Sequence, residues 1–471
     1  MKKYTVVFSL VAALAMILSA CGTAATPTAT QAPAATQAPA ATQAPATVAA
    51  TTAPTATAAP VVPNANIKTD CAGKTINFLT IQPHQVAAEN LQTLFQDASG
   101  AKVNLTVVGY DVVTEKAVLD VTSGADQVDV VEYWYPGLGE MVQDGVLENL
   151  DSWYTTNAGW LNTDDYYQDY FDAFTKIGDS RYGIPYDGDL HLLWYYKPLF
   201  TKYNLQPPTT WDDYLTDEKT ITQGEKGAAY GAAIMGSKVP LIIIGTFLSR
   251  LGSYGGSFFD AKGNPVIDSP AAVAALTALV EESKYALPTP TATGFNEAIA
   301  GWLTQKVGMM EFWTDLGSMS ADPKSSKVVG NYGVEAMPAG PGPNGVSIAP
   351  VNAGFAMGVS TGSQNKACAY EFLSFVARPD IALKYNMVVG GIDPVRKSTL
   401  DNPDYQKFID PQIAAAIKAA HAHAVFWPTS AIWSQMQEPL TDNLSLALTG
   451  DKTPQQALDD TQLAWLQLLK K

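Results

Sequence analysis

Two aspartates one residue apart, Asp187 and Asp189, follow Ile184-Pro185-Tyr186, and ionised carboxylates are strong hydrogen-bond acceptors for a ligand's O–H or N–H groups. Asp-Gly-Asp is equally good turn chemistry, so a solvated turn is the competing reading. Gln82 and His84 stand just past one strand-like run, and Tyr133 and Trp134 just past another. Amide, imidazole, phenol and indole combine flat apolar faces with polar edges, which is what a small-molecule site needs. A lone His is as often a helix-start residue, and a lone Trp is more often core. No His-Glu-x-x-His pair and no phosphate-cradling Gly-x4-Gly-Lys-Ser/Thr loop occurs. His421 and His423, two apart on a helix, face different ways and do not make a metal pair. No metal or cofactor is expected.

The elements that would position these side chains alternate between strand and helix, the pattern of an α/β protein. Residues 75–81 read as a strand, 86–99 as an amphipathic helix closed by Gly100, and 103–108 as a second strand. A helix over 114–122 then leads to the short apolar run 127–131, a third strand. In open α/β sheets ligands sit beyond the carboxyl ends of strands, which is why Gln82, His84, Tyr133 and Trp134 stand out. A second sheet-and-helix region follows Tyr186, and the chain from Pro411 onward reads mainly as helices. At 471 residues the protein is too long for one compact domain. Two lobes with a cleft between them are expected.

The net charge of −16, from 29 Lys and Arg against 45 Asp and Glu, argues against nucleic-acid binding, which depends on clustered basic side chains. Lys2 and Lys3 precede an apolar run over 4–18 that is the length of a secretory signal and too short for a membrane span. The run ends in Leu18-Ser19-Ala20-Cys21, which resembles the lipobox of bacterial lipoproteins. That likeness implies a signal peptide over 1–20 and an acylated Cys21 anchoring the protein to the extracytoplasmic face of the cell membrane. Residues 22–66 carry no charge and repeat Ala-Thr-Gln-Ala-Pro-Ala, so 21–66 reads as a disordered tether. Extended, such a tether reaches on the order of 100 Å.

Several stretches, in order, resemble the extracellular solute-binding proteins of ABC importers, in the sugar-binding group that includes maltose-binding protein. They are Asp129-Val-Val-Glu-Tyr-Trp134, Tyr182-Gly-Ile-Pro-Tyr186, Leu192-Leu-Trp-Tyr-Tyr-Lys-Pro-Leu-Phe200 and Pro207-Pro-Thr-Thr-Trp211. Leu251-Gly-Ser-Tyr-Gly-Gly-Ser-Phe-Phe-Asp260, Gln305-Lys-Val-Gly-Met-Met-Glu-Phe-Trp313, Asn352-Ala-Gly-Phe-Ala-Met-Gly-Val359, residues 365–375 and residues 450–465 continue the series. The resemblance implies a two-lobed, type II periplasmic-binding-protein-like fold with a hinge and an inter-lobe cleft. The N-terminal lobe would hold 67–185 and 346–395, the C-terminal lobe 186–345 and 396–471.

The same resemblance implies a carbohydrate ligand, captured by lobe closure and delivered by a monomeric receptor to ABC permease subunits. Sugars present flat C–H faces and a ring of hydroxyls, and so require aromatic planes beside hydrogen-bonding groups. By likeness, Trp313 lies in the family's stacking segment, and Trp427 and Trp433 in a late helical segment that reaches the cleft. Asp189 falls where sugar-binding members often carry an acid, with Asp187 beside it. Asn352 precedes a Gly-rich strand and offers an amide, and Gly391 lies in a loop near the cleft. Trp153, Trp160, Trp211, Trp302 and Trp465 are assigned to core or surface. Cys71 and Cys368 would both fall in the first lobe, where an extracytoplasmic location permits a disulfide; two buried thiols are the rival. A secreted glycoside hydrolase, which also pairs carboxylates in an aromatic cleft, and a surface adhesin are the competing functions.

Overall fold

The computed structural model describes residues 66–341 and 345–470. The signal peptide, the lipobox Cys21 and residues 22–65 of the tether lie outside the described residues. Among the described residues no helix is long and apolar enough to cross a membrane.

Among the described residues, nine strands build the two larger sheets. In the first, β1 (Thr75–Ile81), β2 (Lys102–Val108), β3 (Val130–Trp134) and β4 (Ile184–Asp189) are joined by the late strand β9 (Ala353–Val359), in the order β2-β1-β3-β9-β4. β1 runs parallel to β2 and β3, and β9 runs antiparallel to β3 and β4. The second sheet holds β5 (His191–Tyr196), β6 (Tyr230–Ala233), β7 (Val307–Trp313) and β8 (Tyr332–Glu335), in the order β8-β5-β7-β6. All seven residues of β7 are buried, so the strand is covered on both faces and is apolar apart from Glu311.

Two strands depart from the sequence expectation, and both departures move candidate residues. The third strand runs over Val130–Trp134, not 127–131, because β9 zips along it and pairs Tyr133 with Ala356 and Trp134 with Phe355. Tyr133 and Trp134 are therefore in the strand, not beyond it. Asp187 and Asp189 likewise belong to β4, paired with Phe355 and Ala353, and not to a turn. A register shift between Phe355 and Ala356 bends this edge.

Leu190 alone separates β4 from β5, so the chain passes from one sheet to the other there. It returns before β9, where Ala349–Pro350 pairs with Ala424–Val425 of the last crossing. Helix Pro240–Ser253 packs close to this crossing. A Cβ on Gly245 would collide with the Asn352 side-chain amide. Arg396 donates to Asp165, to the Tyr166 hydroxyl and to the carbonyl of Ala377.

Each sheet has its own support. Helix Gln85–Ser99 ends at Gly100, whose φ of 73° lies in the left-handed region that favours glycine. It packs Phe95 against Phe372 and Phe375 of helix Lys366–Val376. Cys71 and Cys368 form a disulfide that ties the first described helix, Ile67–Cys71, to helix Lys366–Val376. Behind the second sheet, Arg250 is fully buried over the face of Trp211 and bonded to Glu282 and Glu311. Such an ion pair is tolerable in an interior only because both partners are held.

Candidate functional site

The side chains at the carboxyl ends of the strands, together with the crossing segments, converge on a cavity of about 50 Å³ between the sheets. From the first lobe come Ile81, His84, Tyr110 and Phe355, and from the second Leu241, Phe295, Trp313 and Asp315. Asp187, Asp189 and Gly391 border it at the crossing. A wider recess of about 350 Å³ adjoins it, sharing Tyr110 and Leu241 and adding Asp111, Glu115, Trp134 and Glu140.

His84 is the last residue of the 3-10 turn Gln82–His84 that follows β1. Its Nδ1 contacts Glu132, which also accepts from Thr80 Oγ1 at 2.5 Å, and its Nε2 lies 3.6 Å from Asp187 Oδ2. Burial disfavours the imidazolium, but Glu132 and Asp187 outweigh it and lift the pKa to about 9, so His84 is a cation at neutral pH. The ring stands edge-on to Phe355 at 4.8 Å.

Opposite His84 lies a linked set of acids. Asp187 accepts from the backbone N–H of Asp393 at 2.7 Å. Asp189 accepts from the N–H of Thr314 at 3.0 Å and lies 2.9 Å from its hydroxyl, which also contacts Asp393. Burial and the neighbouring carboxylates push Asp189 well above the usual carboxylate range. Burial pushes Asp187 the same way against the pull of His84, and raises Asp315 to about 7. Trp313, at the end of β7, meets His191 edge-on at 4.5 Å and has no hydrogen-bond partner for its Nε1 among the described residues.

Of the residues singled out in the sequence, His84, Asp187, Asp189, Trp313 and Gly391 border the inner cavity and Trp134 the outer recess. Asn352 and Trp427 sit beside them as crossing residues, outside the lining. The Asn352 amide nitrogen meets His191, its Oδ1 accepts from Trp427 Nε1 at 2.8 Å, and its carbonyl accepts from Trp134 Nε1 at 2.7 Å. Three positions are corrected. Tyr133 is fully buried and donates to the carbonyl of Phe174, because the longer β3 turns it into the core. Trp433 is fully buried among Phe258, Phe259 and Trp465, so it packs core and presents no face to the cavity. Gln82 is exposed and outside the lining.

Glu132, Thr314, Asp315, Phe295, Phe355 and Tyr110 were not foreseen. Phe355 and Glu132 had a signal, in that each lies within or beside a strand whose partners were already candidates. Ser360, in Gly358-Val-Ser-Thr-Gly362, has the spacing of a hydrolase nucleophile elbow. It is buried past the end of β9, outside the cavity lining, and its hydroxyl accepts from the N–H of Gly362.

Residues 80–382, more than half of the chain, match the family of bacterial extracellular solute-binding proteins. The chain belongs to that family. A probable amino-acid ABC transporter periplasmic-binding protein of Sinorhizobium fredii is 27% identical over 374 residues, covering 78% of this chain and 83% of its own. Two solved structures share the fold with a TM-score of 0.74 and 23% identity, each covering 83% of this chain and 98% of its own. One is an ABC transporter solute-binding protein of Agrobacterium radiobacter in complex with ribitol, the other maltose-bound MalE3 of T. maritima. These likenesses bear out the two-lobed fold, and the Sinorhizobium relative is described as a probable binding protein of an ABC transporter.

Proposed function

We propose that this solute-binding protein is a membrane-tethered receptor that captures a carbohydrate or polyol by lobe closure and delivers it to the permease of an ABC importer. The observation that carries the reading is the inner cavity, whose walls come from both lobes and combine the rings of Trp313, Phe295 and Phe355 with the acceptors Asp187, Asp189 and Asp315. Aromatic faces suit the C–H surfaces of a sugar or polyol, and carboxyl oxygens suit its hydroxyls. A ligand that bridges both walls stabilises the arrangement in which they meet, so capture is a population shift that needs no catalysis. The ribitol- and maltose-bound neighbours are in keeping with this choice. Acylation of Cys21 and the tether over 22–66 would keep the receptor near its permease.

A thermal-shift screen against hexoses, pentoses, oligosaccharides, polyols and amino acids tests the reading, with hits followed by calorimetry. A ligand at 100 times its dissociation constant adds about 2.7 kcal/mol of stability. A sugar or polyol hit is expected, weakened by Trp313→Ala. A response to amino acids alone would replace the ligand class, and turnover of a sugar hit would favour a glycoside hydrolase.

A further inference from the structure

The cleft is one-sided in charge from its mouth to its floor. Asp111, Glu115 and Glu140 line the outer recess, and Asp187, Asp189 and Asp315 the inner cavity, with no Lys or Arg among the residues bordering either. Glu132 and Asp393 stand directly behind this lining. His84 is the one cation in contact with the acids of the inner cavity among the described residues, and it is engaged with Glu132 and Asp187. The Thr314 hydroxyl, which has one proton to give, lies between Asp189 and Asp393, so those two carboxyls share a proton.

That leaves acceptors unmatched. Asp187 is 1% exposed, and its Oδ2 faces His84 Nε2 at 3.6 Å without a hydrogen bond among the described residues. The Oδ1 of Asp315 and the Nε1 of Trp313 are also buried without one. A buried polar atom without a hydrogen bond is costly, and three of them at one cavity wall leave room for a ligand's donors and acceptor. The rings of Trp313, Phe295, Phe355 and Tyr110 complete the walls, and aromatic faces attract cations as well as C–H surfaces.

We infer that the ligand carries a protonated amine among its hydroxyls, an amino sugar or amino polyol, with the ammonium set between Asp187 and Asp315 and a hydroxyl oxygen accepting from Trp313 Nε1. This rests on the carbohydrate reading and narrows it. The mouth acids steer such a cation inward and repel anions. An amino acid fits poorly because its carboxylate would enter a cleft lined by six acids and no basic side chain.

The test is calorimetry on the full-length chain in mild detergent with matched probes. Each set comprises a neutral sugar or polyol, its amino-deoxy counterpart and the N-acetylated amine: glucose, glucosamine and N-acetylglucosamine, for example, or sorbitol and 1-amino-1-deoxysorbitol. 1,5-Diaminopentane serves as an amine without hydroxyls. The expected result is that at least one free amine binds at least about tenfold tighter than both its neutral parent and its N-acetyl form, and that Asp187→Asn or Asp315→Asn removes most of this margin. Should those buried variants not fold, Glu115→Gln, at an exposed mouth position, is expected to slow association of the amine about twofold or more at low salt and to leave the neutral parent unchanged. Neutral parents binding as tightly as their amines would overturn this inference and leave the carbohydrate reading standing. Binding of the diamine alone, or of no sugar or polyol in either form, would overturn both.

Discussion

Replacing His84 by Gln keeps a hydrogen-bonding side chain near Glu132 but removes the positive charge that two buried acids enclose. The pKa of His84 rises from 6.5 to about 9 because Glu132 and Asp187 outweigh burial. Protonation of this side chain therefore stabilises the folded protein by about 2.5 pK units, on the order of 3 kcal/mol. A raised histidine pKa gives stability that is fully present below the unfolded value of 6.5 and is lost as pH rises through about 9. The other acids of the cluster titrate as well, so the informative quantity is the difference between wild type and His84→Gln at each pH. Urea denaturation of the ligand-free proteins should give a difference larger by about 3 kcal/mol near pH 6 than near pH 10, where only the small pH-independent packing loss remains. An identical difference at both ends would refute the claim that His84 is held as a cation by Glu132 and Asp187.

Four further variants separate structure from binding. Cys71→Ser with Cys368→Ser should lower stability by about 2–4 kcal/mol in urea and leave ligand affinity within about twofold, because the disulfide joins helices remote from the cavity. Trp313→Ala should weaken ligand binding by at least about tenfold in calorimetry, whereas Trp433→Ala should cost about 3–5 kcal/mol of stability and leave the affinity of the folded fraction unchanged. Asn352→Leu strands Trp427 Nε1 and one edge of His191, each at about 1–3 kcal/mol, so thermal unfolding should occur at lower temperature even with no ligand present.

The order of strands and helices was legible in the sequence because each element carries its own period and stop signal, as Gly100 does for the helix over 85–99. The identity of several cavity residues was legible for the same reason: His84 follows a strand end, and Asp187 and Asp189 precede a change of sheet. What could not be read locally was the pairing of β9, more than two hundred residues beyond β3. That pairing lengthens β3, draws Tyr133 into the core and makes a strand of an Asp-Gly-Asp that has every local mark of a turn. Trp433 misled for a related reason. An aromatic on a late helix is equally compatible with core and cleft, and only the positions of Phe258 and Trp465 decide between them. Asp315 gave no local sign of a site because its place at the cavity arises from convergence of segments distant in the chain.

Convergence also has a protonic consequence. Thr314 Oγ1 lies between Asp189 and Asp393 and can donate to one of them, so the other contact requires a proton on a carboxyl. Burial favours that proton at both carboxyls, and the charge of Asp393 adds to it at Asp189, so both pKa values lie above the ordinary carboxylate range. A ligand that brings O–H or N–H donors to these oxygens does the proton's work and lowers the pKa of the pair. The bound state then holds fewer protons than the free one, and by linkage affinity rises with pH while the pair titrates. Calorimetry in buffers of different ionisation enthalpy should register release of a fraction of a proton on binding, and Asp393→Asn should abolish it. Heats that do not vary with buffer would mean that the ligand leaves this pair undisturbed and that its donors meet Asp187 and Asp315 alone.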